Sequence, residues 1–338
     1  FSKDEIHNIR KQWGILCKDN PQETQHNFIS SLKTEQIIDS QTAEMEYNKH
    51  LDINTHIHSV ALELTYNCSE KCIHCYNIGA IRNDTEKSGR GCLAEMSIED
   101  YKHLIDELNA LGCYKVCLTG GDPFSKRIAW DIIDYLYEKE IAFDIFTNGL
   151  AITTQVERLI DYYPRLVGVS IYSGIPEVHD SITRIKGSFE KSMKVVKELS
   201  EYGTPLALKC CVMKPNVKSY HLVKELAKKY GAVCQIEANL CMGVDGDMSM
   251  INHLRLSREV FEVLLRDKDT PLYVGLDLPN EGKIPKEPNF SPCGGGYGGY
   301  TITPNGDMVV CANLHYAFGN VIKMPLLDIL QGEKMKVW

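Results

Sequence analysis

From about residue 59 the chain alternates short β-rich runs with stretches whose apolar residues recur at helical spacing. That rhythm predicts repeated βα units and a parallel sheet. Six runs read as strands: Ser59 to Tyr66, Lys115 to Thr119, Ile141 to Thr147, Leu166 to Tyr172, Pro205 to Met213 and Val233 to Ala238. Several are almost continuously apolar, as strands covered on both faces should be. Between them, Ser97 is placed to cap a helix whose Tyr101, Leu104, Leu108 and Leu111 share one face, with Gly112 to end it. Phe189, Met193, Val196 and Leu199 repeat the pattern, and so do Tyr220, Val223, Leu226 and Tyr230, closed by Gly231.

Six βα units are too few to close an eight-fold barrel. The expected fold is therefore α/β, a partial (β/α)6 barrel open on one side, with its site at the carboxyl ends of the strands. Residues 1–55 are polar and helical in pattern. Residues 241–338 lose the βα rhythm and turn to Gly, Pro and short strand-like pieces, with a helix expected over Leu326 to Lys336. The expected division is an N-terminal helical segment at 1–55, a barrel at 56–240 and a C-terminal extension at 241–338. Phe1 is an unusual start and Trp338 follows directly on a helical pattern, so further residues are expected at both ends.

Composition narrows the class. A chain of 338 residues, 43% hydrophobic, can bury a large core. It has no signal-peptide pattern and no apolar run long enough to span a membrane, so a cytoplasmic address is expected. A net charge of -8 argues against a nucleic-acid surface. Thirteen cysteines in a reducing compartment are read as metal ligands or catalytic groups before disulfides.

Their spacing is informative. The first strand runs into Cys68-Ser69-Glu70-Lys71-Cys72-Ile73-His74-Cys75, three thiols on one loop at CxxxCxxC spacing. A cubane iron–sulfur cluster takes four thiolates, so three leave one iron open for another ligand. Zinc completed by His74 or a distant residue, or three ordinary thiols, are the competing readings. Other strand ends add polar groups to the same rim: Thr119-Gly120-Gly121-Asp122, where paired glycines let a ligand approach and leave backbone amides free; Thr147-Asn148-Gly149; and Ser170-Ile171-Tyr172-Ser173. Taken singly, each is also a plain turn.

Over roughly residues 59–240 the chain resembles the radical S-adenosylmethionine (SAM) superfamily. The resemblance implies that Cys68, Cys72 and Cys75 hold a [4Fe–4S] cluster whose open iron chelates the methionine amino and carboxylate groups of SAM. It implies that Gly120, Gly121 and Asp122 meet the methionine amino group, although relatives more often carry Glu at the third position. Ser170 and Arg184 look like the polar pair near the ribose and carboxylate, Asn148 joins that rim, and Tyr76 is similar in position to a residue lining the adenine pocket. Tyr172 stands where many relatives carry an acid. Reductive cleavage of SAM to a 5′-deoxyadenosyl radical, fed by an electron donor such as flavodoxin or ferredoxin, is the implied chemistry; no side-chain acid or base is nominated.

Cys293 to Cys311 encloses a Gly-rich run and a turn at Asn305-Gly306 between two short strands, a hairpin carrying two thiols. This resembles the SPASM/twitch extension of radical enzymes and implies an auxiliary iron–sulfur cluster on Cys293 and Cys311. An upstream thiol such as Cys241, or cysteines beyond Trp338, would complete it; two inert cysteines are the plainer alternative. The strings Val178 to Thr183, Gly187-Ser188-Phe189 and Val212 to Asn216 look like SPASM enzymes that modify ribosomally made peptides, and residues 1–16 could end a leader-peptide recognition domain or form an ordinary helix. The expected function is thus modification of a precursor peptide by thioether or carbon–carbon crosslinking, or by epimerisation. Alternatives are a radical enzyme acting on a sugar or nucleotide, and a non-catalytic zinc or iron–sulfur protein. Cys210, Cys211, Cys234 and Cys241 are either hydrogen-atom donors or inert buried thiols.

Overall fold

The computed structural model describes residues 57–77, 94–243, 246–266, 296, 299–312 and 314–337. The N-terminal segment 1–55 and Cys293 lie outside the described residues. Among the described residues, no helix is long and apolar enough to cross a membrane.

The six expected strands form, trimmed at their ends: β1 (Ser59–Glu63), β2 (Lys115–Thr119), β3 (Ala142–Thr147), β4 (Leu166–Ser170), β5 (Leu206–Cys211) and β6 (Val233–Glu237). They pair in chain order and in parallel, each to the next. Helices α1 (Ile98–Ala110), α2 (Ala129–Glu138), α3 (Val156–Ile160), α4 (Pro176–Thr183), α5 (Ser188–Glu201) and α6 (His221–Lys229) fill the crossovers. Helix α1 starts on the capping box between Ser97 and Asp100, which supplies two otherwise unpaired amide groups with acceptors. After β6 come α7 (Ser249–Leu254) and α8 (Arg258–Arg266).

The sheet does not close. Strand β7 (Gly299–Ile302) adds in parallel to the free side of β1, and β8 (Asp307–Cys311) and β9 (Leu314–Asn320) follow antiparallel, giving the order β6-β5-β4-β3-β2-β1-β7-β8-β9. The result is an open, partial barrel with a three-stranded meander on its first strand. The hairpin turn falls at Asn305-Gly306 as expected, with Gly306 at φ 86, a left-handed conformation suited to glycine. Strand β9 was not expected: its run Leu-His-Tyr-Ala-Phe-Gly-Asn alternates poorly and holds Gly319. A Cβ on Gly319 would sit 2.8 Å from the Ile329 side chain, so glycine there lets the next helix pack. The single helix expected over Leu326 to Lys336 is two, α9 (Leu326–Leu330) and α10 (Glu333–Val337), broken at Gly332.

Period-two alternation sorts the barrel strands into two faces. Outward residues such as Leu62, Val116, Leu118, Ile145, Val167 and Leu208 are buried beneath Leu104, Leu108, Ile133, Leu136, Val196 and Leu199 of the helices. Each such side chain contributes about 1.5–3 kcal/mol. The inward face is largely polar, with Glu63, Cys117, Asp144, Lys209 and Gln235. Asp144 pairs with Arg165 and with Lys115 at 3.9 Å, and Lys209 donates to Gln235 at 2.8 Å while lying over the Phe146 ring.

Candidate active site

The cysteine loop leaves the end of β1 and is pinned on two sides. Lys71 and Ile73 donate their amides to the carbonyls of Thr183 and Ile182 at the end of α4, both at 2.9 Å. On the other side Leu64 N–H donates to Thr119 at 3.0 Å, Gly121 N–H to Thr65 at 2.6 Å and Asp122 N–H to Asn67 at 2.9 Å. The glycine pair is needed for this approach: a Cβ at Gly121 would lie 2.3 Å from the Asn67 carbonyl oxygen, and one at Gly120 2.5 Å from that of Thr65. Here the reading of free amides needs correction. The Gly121 and Asp122 amides are spent on the cysteine loop, because close packing of the two loops puts its carbonyls directly in front of them.

Asp122 is fully buried, and its carboxylate accepts from Thr147 Oγ1 at 2.6 Å, Asn148 N–H at 2.9 Å and Phe124 N–H at 3.0 Å. Burial pushes this carboxyl above its ordinary range, against the pull of those donors. It therefore locks β2 to the end of β3. Asn148, held in this way, extends Nδ2 to Cys68 Sγ at 3.3 Å and to Ser69 Oγ at 3.2 Å. Glu70 N–H also donates to Cys68 Sγ, at 3.4 Å.

The other two thiols have separate partners. Cys72 donates to Glu70 Oε2 at 3.2 Å and lies 4.0 Å from the Tyr172 hydroxyl, and Cys75 accepts from the Asn77 amide. Tyr172 meets the His74 ring edge-on at 4.7 Å and stacks on His179 at 5.5 Å; its hydroxyl is hydrogen-bonded to Ser170. Arg184 is exposed, in the left-handed turn that ends α4, one residue past the carbonyl that holds Lys71. Tyr76 turns inward and donates to Glu63 Oε1 at 2.8 Å. The loops thus bring Cys68, Cys72, Cys75, Tyr76, Gly120, Gly121, Asp122, Asn148, Ser170 and Arg184 to the carboxyl ends of β1 to β4.

Glu63 and Glu70 were not singled out from sequence, and His74 was weighed there only as a zinc ligand. The signal existed for Glu63, a carboxylate alternating with the outward Val60 and Leu62 and so predicted to point inward. Glu70 and His74 sit inside the loop, where no periodicity assigns direction.

The chemistry of this donor set suits an iron–sulfur cluster. Burial pushes Cys68 up to about 12 and raises Cys72 and Cys75, each further raised by neighbouring acids, so the thiols stay protonated until a metal displaces their protons. Buried polar atoms without partners gather here as well: Glu63 Oε2, Glu70 Oε1, His74 Nδ1 and Asn77 Oδ1. Such a concentration marks a place built around a ligand.

Of the C-terminal pair, Cys311 is half-buried at the end of β8. It lines a cavity of about 270 Å³ with Ser59, Ala61, Lys115, Cys117, Asp144 and Phe146, at the amino-terminal end of the barrel strands. Cys241 follows β6 closely enough to interact electrostatically with Cys311, Cys211 and Tyr76. Cys210 is buried on the outward face, donating to the Tyr172 carbonyl at 3.6 Å, which suits a structural thiol.

An open parallel barrel with a three-thiol loop at its carboxyl rim, extended by a cysteine-bearing hairpin, defines an iron–sulfur enzyme of the radical type. The sequence matches the radical SAM superfamily over residues 62–226 and the iron–sulfur cluster-binding SPASM domain over 293–338, together more than half of the chain. The protein belongs to the radical SAM superfamily and carries a SPASM extension. Its cofactors are a [4Fe–4S] cluster and SAM, with auxiliary iron–sulfur clusters in the SPASM part.

Among relatives, the mycofactocin maturase MftC of Mycolicibacterium smegmatis is 28% identical over 271 residues, covering 77% of this chain and 66% of MftC. The antilisterial bacteriocin subtilosin biosynthesis protein AlbA of Bacillus subtilis is 32% identical over 172 residues, 50% of this chain and 36% of AlbA. The AdoMet-dependent heme synthase of Methanosarcina barkeri is 24% identical over 307 residues, 82% of each chain. The chain spans less than two thirds of the length of the two maturation proteins. In fold it resembles Streptococcus suis SuiB bound to S-adenosylmethionine, with a TM-score of 0.61 and 15% identity over 94% of this chain and 70% of SuiB.

Proposed function

We propose that this radical SAM enzyme modifies a ribosomally synthesised precursor peptide, by thioether or carbon–carbon crosslinking or by inversion of a stereocentre. The observation that carries the reading is the likeness to MftC and AlbA, a maturase and a bacteriocin biosynthesis protein. SuiB, similar in fold, has been solved bound to its precursor peptide SuiA.

In this reading Cys68, Cys72 and Cys75 hold the radical SAM cluster. Bound there, cluster and cofactor supply a one-electron reductive cleavage that yields a 5′-deoxyadenosyl radical. Asn148 and the Glu70 amide offer N–H donors to the Cys68 sulfur, and Asp122 fixes Asn148. Gly120 and Gly121 keep the cofactor loop against β2, while Ser170, Arg184 and Tyr76 border the cofactor. Cys293 and Cys311 hold an auxiliary cluster. The barrel at 56–240 carries the radical chemistry, 241–338 the auxiliary site, and 1–55 a helical segment available for peptide recognition. Electrons come from a flavodoxin or ferredoxin, and the thirteen cysteines suit a reducing cytoplasm.

A second reading, a radical enzyme acting on a small molecule, is favoured by the heme synthase, which matches this chain over most of both lengths. Co-expression with short open reading frames encoded beside the gene, followed by mass spectrometry, decides between them. A mass shift or crosslink in one encoded peptide supports the peptide reading; unmodified peptides from an enzyme that cleaves SAM support the second.

A further inference from the structure

Glu63 ends β1 and is completely buried. Ser59 and Ala61, four and two residues before it, line the interior cavity, so alternation sets Glu63 on the same inward face, one step nearer the cysteine loop. Oε1 accepts from the Tyr76 hydroxyl at 2.8 Å, while Oε2 meets no donor among the described residues. A buried carboxylate oxygen without a donor is costly, and a position needing only packing would be served by an apolar side chain. On the far edge of the six-stranded array Glu237 ends β6 on the same inward face, in register with Cys211. Its field reaches Cys211 and Cys241, and that of Cys241 reaches Tyr76. Glu63 on β1 and Glu237 on β6 thus place acceptors at the carboxyl end of the inward face.

We propose that Glu63 is a substrate-positioning residue whose unpartnered oxygen accepts an N–H of the precursor peptide, with Tyr76 holding the carboxylate in place. This rests on the peptide reading above. The unpartnered oxygen is a hydrogen-bond acceptor, so this wall favours a donor-bearing chain such as a peptide backbone. Fixing one N–H beside the radical site holds the neighbouring carbon for hydrogen abstraction.

The test uses the reconstituted holoenzyme and the precursor peptide that the co-expression experiment reports as modified. Peptide Kd is measured for wild type, Glu63→Gln and Glu63→Leu, beside the Kd for SAM. Gln exchanges a charge-assisted acceptor for a neutral one, and the expected weakening of peptide binding is roughly 5-fold; Leu removes both oxygens and the expected loss is roughly 10- to 100-fold. Unchanged peptide affinity in Glu63→Gln overturns the proposal, and decides it alone if the Leu variant does not fold. A parallel fall in SAM affinity also overturns it, making Glu63 a support of the cofactor loop. A wild-type enzyme that modifies no peptide overturns the peptide reading itself and this proposal with it, a result distinct from normal modification with unaltered variants.

Discussion

Asn148 Nδ2 stands 3.3 Å from Cys68 Sγ, joining the end of the third barrel strand to the first thiol of the cysteine loop. An N–H donor to a cluster thiolate stabilises the more negative, reduced state. Asn148→Ala is therefore expected to lower the midpoint potential of the radical SAM cluster by about 40 mV, the equivalent of about 1 kcal/mol for one electron. A redox titration followed by electron paramagnetic resonance measures it.

Gly121 meets the cysteine loop backbone-to-backbone, with no room for a methyl group beside the Asn67 carbonyl. Gly121→Ala must push the two loops apart, and a destabilisation of about 3–5 kcal/mol is expected, with loss of cluster iron. Thermal unfolding together with iron analysis reports both effects. Truncating Asp122, which gathers Thr147, Asn148 and Phe124, leaves three buried donors unmatched, and Asp122→Ala is expected to cost about 3 kcal/mol.

Burial raises the Glu63 carboxyl to about 7, above its ordinary 4.5, and the Tyr76 hydrogen bond only partly offsets this. The proton is thus bound more tightly in the folded chain than in the unfolded one. Stability from this group is fully present below about pH 4.5 and is lost as pH rises to about 7. Glu63→Gln carries no such titration. Its stability relative to wild type should rise across that interval, by up to about 3 kcal/mol, as denaturant melts at several pH values would show.

Much of this was legible in the sequence, because the barrel strands are buried on the outer face and their apolar runs say so. All six were placed within a few residues, and Ser97 announced the start of the first described helix. What escaped was governed by contacts distant in sequence. Strand β9 forms because β8 offers it an edge, not because its own residues alternate. The glycine pair at 120 and 121 was read as room for a ligand; the backbone that approaches it belongs to the loop after β1, a contact no local pattern encodes. Asp122 shows no sign in sequence that it is saturated by the end of β3.

Changing Cys293 and Cys311 to alanine together is expected to lower iron per chain while the SAM-perturbed resonance of the barrel cluster persists, since Cys311, at the end of β8, lies beside the amino-terminal end of β1 and the cysteine loop follows its carboxyl end. Iron and sulfide analysis paired with spectroscopy checks this.

The most direct measurement is the yield of 5′-deoxyadenosine from anaerobically reconstituted enzyme given SAM and a strong reductant, compared with a variant in which Cys68, Cys72 and Cys75 are all alanine. The wild type should form it and the variant should not, while the variant keeps auxiliary iron. Continued formation of 5′-deoxyadenosine by the triple variant would contradict the assignment of those three thiolates to the radical cluster.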